Sequence, residues 1–134
     1  DLHSFPTRRS SDLDLYQKDE KKIYEGDWKD DKMEGKGIFY YSNGRYEGDF
    51  QNGVKDGKGS FYFNNGDKYE GDWSKGKMEG KGIFYFSNGR YDGDWKNDLK
   101  DGKGILISNN GEKYDGDWKE GKKDGKGIFY GSNK

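Results

Sequence analysis

The sequence predicts an all-β protein: an elongated, twisted, single-layer antiparallel sheet of stacked β-hairpins, with about ten strands. Three observations predict it. The stretch from Tyr69 to Arg90, Y-E-G-D-W-S-K-G-K-M-E-G-K-G-I-F-Y-F-S-N-G-R, recurs as five imperfect copies that begin at Tyr24, Tyr46, Tyr69, Tyr91 and Tyr114. Within each copy, side-chain character alternates with a period of two, which is the signature of strands and not of helices. Apolar residues make up only 28% of the chain while aromatic ones make up 17%. That is too little aliphatic bulk for a thick two-layer core and too many rings for a disordered chain.

Taken from the N-terminus, the first segment is unrelated to the rest. Residues 3–13, H-S-F-P-T-R-R-S-S-D-L, resemble a sequencing-library adapter translated in one frame. Residues 1–13 are therefore expected to be a cloning or assembly artefact and are set aside from fold reasoning. They contain the one histidine, His3, and the one proline, Pro6. The chain is then expected to be a fragment of a protein that continues upstream. Residues 14–23, D-L-Y-Q-K-D-E-K-K-I, form a lead-in that loosely echoes the end of a unit and is read as a degenerate second strand.

The five units span 24–45, 46–68, 69–90, 91–113 and 114–134. In the third, Tyr69, Gly71 and Trp73 fall on one side of a first strand, with Glu70 and Asp72 on the other. In the second strand, Gly80, Gly82, Phe84 and Phe86 share a face, and Lys81, Ile83 and Tyr85 share the opposite one. Glycine weakens a strand unless something large approaches the bare backbone. Its recurrence in step with Tyr and Trp predicts that each ring lies across a glycine of a neighbouring strand, replacing a second layer.

Two bends join the strands. One carries Asn-Gly, at 43–44, 65–66, 88–89 and 110–111, a pair favoured in tight hairpin turns. The other places Asp31, Gly53, Gly76, Asp98 and Gly121 at one position, where left-handed torsions are tolerated. The copies start 22, 23, 22 and 23 residues apart, and residues 24–68 and 69–113 agree at 31 of 45 positions. Copies one and two agree at only 11 of 22, so the true unit is a duplicated two-hairpin block. Equivalent side chains are expected about every 10 Å along a sheet roughly 48 Å long.

The pattern Y-x-G-x-W-x-x-G-x-x-x-G-x-G, followed by aromatics and Asn-Gly, resembles the MORN (membrane occupation and recognition nexus) repeat from Tyr24 to Lys134. The departures are Phe50 for Trp, Asp31 and Asp98 for a mid-turn Gly, and Leu106, Ile107 and Ser108 where other copies carry aromatics. The resemblance implies a twisted array of antiparallel hairpins with a non-catalytic, assembly or membrane-associated role. It also implies a cytoplasmic location, peripheral at a membrane or a cytoskeletal structure. Relatives of this kind occur beside lipid kinases and methyltransferases, so the array could regulate a catalytic domain absent from the fragment.

Chemistry narrows the reading further. Cysteine is absent, which removes disulfides and thiolate metal sites. Lys and Arg total 25 against 26 Asp and Glu, without the basic excess of a nucleic-acid binder. The E-x-D carboxylates recur in nearly every copy, as architecture does, whereas catalysis needs a one-off constellation. They are read as cross-strand partners of Lys36, Lys58, Lys81, Lys103 and Lys126 in preference to a calcium site. No catalytic residue, metal or cofactor is expected.

The candidate binding face is aromatic: Tyr24, Trp28, Tyr46, Phe50, Tyr69, Trp73, Tyr91, Trp95, Tyr114 and Trp118, forming two tracks that hold the sheet and also stay open to a partner. Tyr40, Tyr62, Tyr85 and Tyr130 offer a second surface on the opposite face. The expected function is a non-enzymatic scaffold for protein–protein interaction or assembly, with a helix or extended peptide along the array and self-association as a further mode. The alternative is a membrane-surface module that binds anionic lipid through basic turns such as 74–77 and 119–123.

Overall fold

The computed structural model describes residues 21–132. They form β1 (Tyr24–Lys29), β2 (Lys32–Tyr41), β3 (Gly44–Gln51), β4 (Val54–Phe63), β5 (Lys68–Ser74), β6 (Lys77–Phe86), β7 (Gly89–Lys96), β8 (Leu99–Ser108), β9 (Lys113–Lys119) and β10 (Lys122–Tyr130). The ten strands make one sheet in sequence order, each antiparallel to the next. The expected single-layer hairpin array is what the chain forms. The adapter-like residues 1–13, and 14–20 of the lead-in, lie outside the described residues. Residues 21–23 carry no strand, although the Ile23 carbonyl accepts the Tyr40 amide at 2.8 Å.

Register sorts the faces. Tyr46 of β3 stands opposite Phe39 of β2 and Phe61 of β4, so one face gathers Tyr and Trp from odd strands with Phe from even ones. The other face carries the carboxylates and lysines. Across the middle runs a belt of glycine, one from every strand in register: Gly26, Gly37, Gly48, Gly59, Gly71, Gly82, Gly93, Gly104, Gly116 and Gly127. A Cβ on any of the five even-strand members would run into a Tyr ring, that of Tyr46 over Gly59 and of Tyr69 over Gly82. The predicted seats for rings are there.

The carboxylates do more than pair across strands. Between β3 and β4 the register slips: Gly48 faces Gly59 but Phe50 faces Lys55, so Asp49 stands against three residues, Asp56, Gly57 and Lys58. This bulge holds Gly57 at φ 109, and a Cβ there would lie 2.7 Å from Asp49 Oδ2. Asp49 Oδ2 accepts the Lys58 amide at 3.0 Å while its Oδ1 takes the Lys36 ammonium from the strand before. Asp72, Asp94 and Asp117 repeat the arrangement, with the amides of Lys81, Lys103 and Lys126 at 3.1, 3.0 and 3.0 Å and the ammoniums of Lys58, Lys81 and Lys103. Each aspartate thus ties three successive strands together.

The bends differ from expectation in one respect. Left-handed torsions do occur at Asp31, Gly53, Gly76, Asp98 and Gly121, and the preceding residues Asp30, Asn52, Lys75, Asn97 and Glu120 share them. Two consecutive positive φ values make these the type I′ turns, whose twist matches the strands they join. The Asn-Gly pairs belong to other geometries. At 42–43 a two-residue bend is closed by the Tyr41–Gly44 pair and has no left-handed residue. At 64–66 a three-residue loop forms, with the Gly66 amide on the Phe63 carbonyl at 3.0 Å and the Phe63 amide on the Asp67 carbonyl at 2.9 Å. Asp67 and, by the same bonds, Glu112 take up the extra residue of the longer copies.

Each of the last four I′ bends also leans on the unit before it. The amides of Gly53, Gly76, Asp98 and Gly121 bond the carbonyls of Met33, Lys55, Met78 and Lys100 at 3.0, 2.8, 3.1 and 2.8 Å. Glu34, Asp56, Glu79 and Asp101 receive the amides of Asn52, Lys75, Asn97 and Glu120 at 3.1–3.2 Å.

Two outcomes follow for stability. Gly82→Ala forces a methyl into the buried Tyr69 ring and should cost about 3 kcal/mol. Gly76→Ala, which meets open space at φ 85, should cost about 1 kcal/mol. Urea midpoints compare them, and equal losses would contradict the seat. For the aspartates, the Lys36 ammonium and the Lys58 amide hold the Asp49 carboxyl below its ordinary range. At Asp72 and Asp94 burial pushes the other way and is outweighed by the same kinds of partner. Depressed folded-state values mean that this stability is complete above the unfolded carboxyl range, near pH ~4, and is lost as pH falls through the folded values. The urea midpoint should fall below about pH 4, and the Asp72→Asn/Asp94→Asn double variant should show a shallower fall and lose about 1 kcal/mol at neutral pH. A parallel pH curve in that variant would count against the tie.

Candidate functional site

The ten aromatic positions form one continuous file. Tyr46 leans from β3 over Gly59 of β4, its hydroxyl donating to the Asp49 carbonyl at 2.8 Å. Trp73 leans back from β5 over the same strand, and its Nε1 donates to the Gly59 carbonyl at 3.0 Å. The two rings meet edge to face above the glycine, centroids 5.2 Å apart at 83°. Tyr69 and Trp95 do the same over Gly82, and Tyr91 and Trp118 over Gly104. Tyr24 and Phe50 meet over Gly37, but Phe50 has no N–H to donate.

Within each odd strand the Tyr also meets its own Trp or Phe at 5.1–5.4 Å. The two expected tracks therefore interlock as a single zigzag: Trp28, Tyr24, Phe50, Tyr46, Trp73, Tyr69, Trp95, Tyr91, Trp118, Tyr114. T-shaped pairs of this kind contribute about 0.5–1.5 kcal/mol beyond burial.

The file closes on itself. Tyr46, Tyr69 and Tyr91 are fully buried, Phe50 is 3% exposed, and Trp73, Trp95 and Trp118 are each 6% exposed. Tyr24, Trp28 and Tyr114, in the first and last units, are half-buried, each with a neighbouring unit on one side only among the described residues. Seven of the ten candidate residues are thus the core, and little of their ring surface faces solvent. Burial first, then a nearby aspartate, pushes the hydroxyls of Tyr46, Tyr69 and Tyr91 far above the ordinary phenol range. They stay protonated donors to backbone carbonyls.

What remains open on this face is a rim. Phe39, Phe63, Phe84, Met33, Met78 and Leu106 pack half-buried against the file, and Tyr41 is more exposed than any of them. Beside the rim, Lys55 bends its ammonium over the rings, 4.7 Å from Trp73 and 4.8 Å from Tyr41. Burial there lowers its pKa, as it does for Lys100, which lies 5.4 Å from the Trp118 ring. Tyr41, Lys55, Phe63, Trp73, Met78 and Asp98 line a groove of about 300 Å³. The sequence reading passed over this position, although its signal was visible: Met33, Lys55, Met78 and Lys100 alternate in step with the two-hairpin block.

The opposite face has its own rings, and three of them are roofed by a cation. The Arg45 guanidinium sits 4.2 Å over Tyr62, Lys68 lies 4.9 Å over Tyr85, and Lys113 lies 4.5 Å over Tyr130. Among the described residues no three His, Cys, Asp or Glu side chains converge to hold a metal ion, and no helix is long and apolar enough to cross a membrane.

No curated protein matches the chain at a significant level. The family model of the MORN repeat matches it five times, over residues 24–44, 46–68, 69–89, 91–113 and 114–134. Each match covers one ring-over-glycine hairpin, and together they span most of the sequence. The chain belongs to the MORN repeat family.

Proposed function

We propose that the chain is a non-enzymatic scaffold that binds an elongated protein partner along the rim of its aromatic face. MORN repeats are repeat scaffolds, generally without catalytic activity of their own. The observation that carries the reading is the groove at Tyr41, Lys55, Phe63 and Met78, where half-buried apolar side chains surround an amine and the Asp98 carboxylate above a closed core. Rigid support under a partly exposed aromatic and Met surface is the setting in which binding hot spots occur.

Spacing favours a helix as the ligand. Methionine and lysine alternate every second strand, about 10 Å apart. An α-helix rises 1.5 Å per residue, so about seven residues cover that distance. A helix lying across the strands would then present one apolar or acidic side chain to each position in turn.

The membrane-surface reading, placed on the turns at 74–77 and 119–123, gains nothing from the sheet face, where Lys36, Lys58, Lys81 and Lys103 are each held by an aspartate of the next strand. Paired charge of this kind offers little net attraction to anionic lipid.

Because Trp73 and Trp95 are buried and hydrogen-bonded, replacing them would test folding and not recognition. The test uses the rim: a Tyr41→Ser/Met78→Gln double variant should keep its circular dichroism spectrum and a cooperative urea transition. It should bind the partner captured by the wild-type chain about 2 kcal/mol more weakly by titration calorimetry. Undiminished binding by that folded variant would sink the proposal, and co-sedimentation with phosphatidylserine vesicles at low salt would favour the lipid reading.

A further inference from the structure

We infer that the rim selects an acidic helix, Lys55 and Lys100 each taking one of its carboxylates while Met78, between them, takes an apolar side chain. The inference rests on the scaffold reading and deepens it by naming the chemistry of the partner.

The two ammoniums are in place before any partner arrives. Lys55 reaches from β4 over the rings, its Nζ 4.7 Å from the centroid of Trp73, 4.8 Å from Tyr41, 5.3 Å from Phe61 and 5.9 Å from Tyr46. Lys100 reaches from β8 in the same way, 5.4 Å from Trp118 and 5.7 Å from Tyr91. The faces of aromatic rings attract a cation and hold it in position. A charge held like this loses little further freedom when a ligand binds.

Among the described residues no carboxylate answers either charge within 4.0 Å, whereas Lys36, Lys58, Lys81 and Lys103 on the other face each hold an aspartate. Asp98 acts on Lys55 from a greater distance, and its Oδ1 is taken by the Met78 amide at 2.8 Å. The bend beside each lysine brings no side chain either. The Gly76 amide bonds the Lys55 carbonyl, and the Gly121 amide bonds the Lys100 carbonyl, both at 2.8 Å. A Cβ at Gly76 would meet nothing within 4 Å, and the groove of about 300 Å³ occupies that space.

Desolvation decides which ligand suits this arrangement. Both lysines are half-buried, and burial already disfavours their charged form. An apolar surface laid over them would remove the remaining water and leave two cations without a counter-charge, which is costly. A carboxylate delivered to each ammonium offsets that cost with a charge-assisted hydrogen bond. Met78 has no charge to satisfy, and its flexible thioether adapts to an apolar side chain.

Spacing turns this into a pattern. Lys55 lies on β4, Met78 on β6 and Lys100 on β8, so successive positions stand about 10 Å apart. Seven residues of α-helix advance about 10.5 Å and make nearly two turns, which places residues i, i+7 and i+14 on one face. The partner helix therefore reads acid, apolar, acid at those three places.

The probes are two synthetic peptides held helical by a side-chain staple on the outward face, because a short isolated helix is marginal in water. One carries Glu at i and i+14 with Leu at i+7, and the other carries Gln in both Glu places. Titration calorimetry on the full chain should show the Glu peptide binding at least about tenfold more tightly, with an advantage that shrinks as salt rises. Equal affinities, or a Glu peptide that does not bind, would overturn the inference.

Lys55→Met/Lys100→Met installs the residue that stands at the equivalent positions 33 and 78, so the packing has room for it. In this variant the preference for Glu over Gln should vanish. A preference that survives would put the carboxylates elsewhere and overturn the assignment. A wild-type chain that ignores the Glu peptide, yet sediments with phosphatidylserine vesicles through these two lysines, would reassign them to lipid. If the variant does not fold, the two peptides on the wild-type chain still decide. Should they bind alike while Tyr41→Ser/Met78→Gln still weakens the captured partner, the scaffold reading stands and the acidic helix falls.

Discussion

The structure depends on a ring laid over glycine. A sheet with one layer has no second surface against which to bury apolar side chains, and this chain has few aliphatic ones to bury. Tyr46, Tyr69 and Tyr91 solve both problems by lying across the bare backbone of Gly59, Gly82 and Gly104 and reaching carbonyls with their hydroxyls. Full burial of such a ring is worth about 2–3 kcal/mol, more than the edge-to-face contact adds. The glycine is therefore the constraint and the stacking its consequence. Put any side chain on the belt and the Tyr loses its seat, the Trp from the following strand loses its neighbour, and the file breaks.

Glycine removes side-chain support from the strands it sits in, and the carboxylates restore it on the other face. Asp49, Asp72, Asp94 and Asp117 each fill a bulge with one oxygen and take a lysine from the preceding strand with the other. The exposed ion pair contributes little by itself, since such pairs are typically worth under about 1 kcal/mol. Satisfying the bulge amide matters more, because that group has no strand partner in the slipped register. The I′ bends complete the tie by bonding the preceding unit. Every link is thus between neighbours, which is why the array has no centre and why its stability is a sum over junctions.

Much of this was legible because it is local. Period-two alternation, the in-step glycines and the left-handed bend positions at Gly53, Gly76 and Gly121 all follow from residues a few places apart. The bend chemistry was only half legible. Asn-Gly at 65–66 suggests a tight I′ turn, yet the paired left-handed torsions sit at Lys75-Gly76 and its equivalents, where Lys is an unlikely choice for positive φ. Strand twist across the whole hairpin decides that, and no dipeptide carries it. The second oxygen of each aspartate was illegible for a related reason: a bulge is a slip between two strands, and a linear pattern shows each strand alone.

Burial of the candidate face was the largest thing the sequence withheld. Alternation assigns Tyr46 and Trp73 to one side, but not the angle at which rings from β3 and β5 converge over β4. That convergence turns two open tracks into one closed file, and it moves the accessible chemistry outward to Tyr41, Phe63, Met78 and Lys55. It also changes what a unit can do. An interior unit has its hydrogen bonds, charges and rings met on both sides, so on the aromatic face it presents only its rim. Among the described residues the first and last units have one neighbouring unit each, and Trp28 and Phe129 are less covered there than their interior counterparts. What such an array can offer therefore lies along its length, in what the packing leaves over.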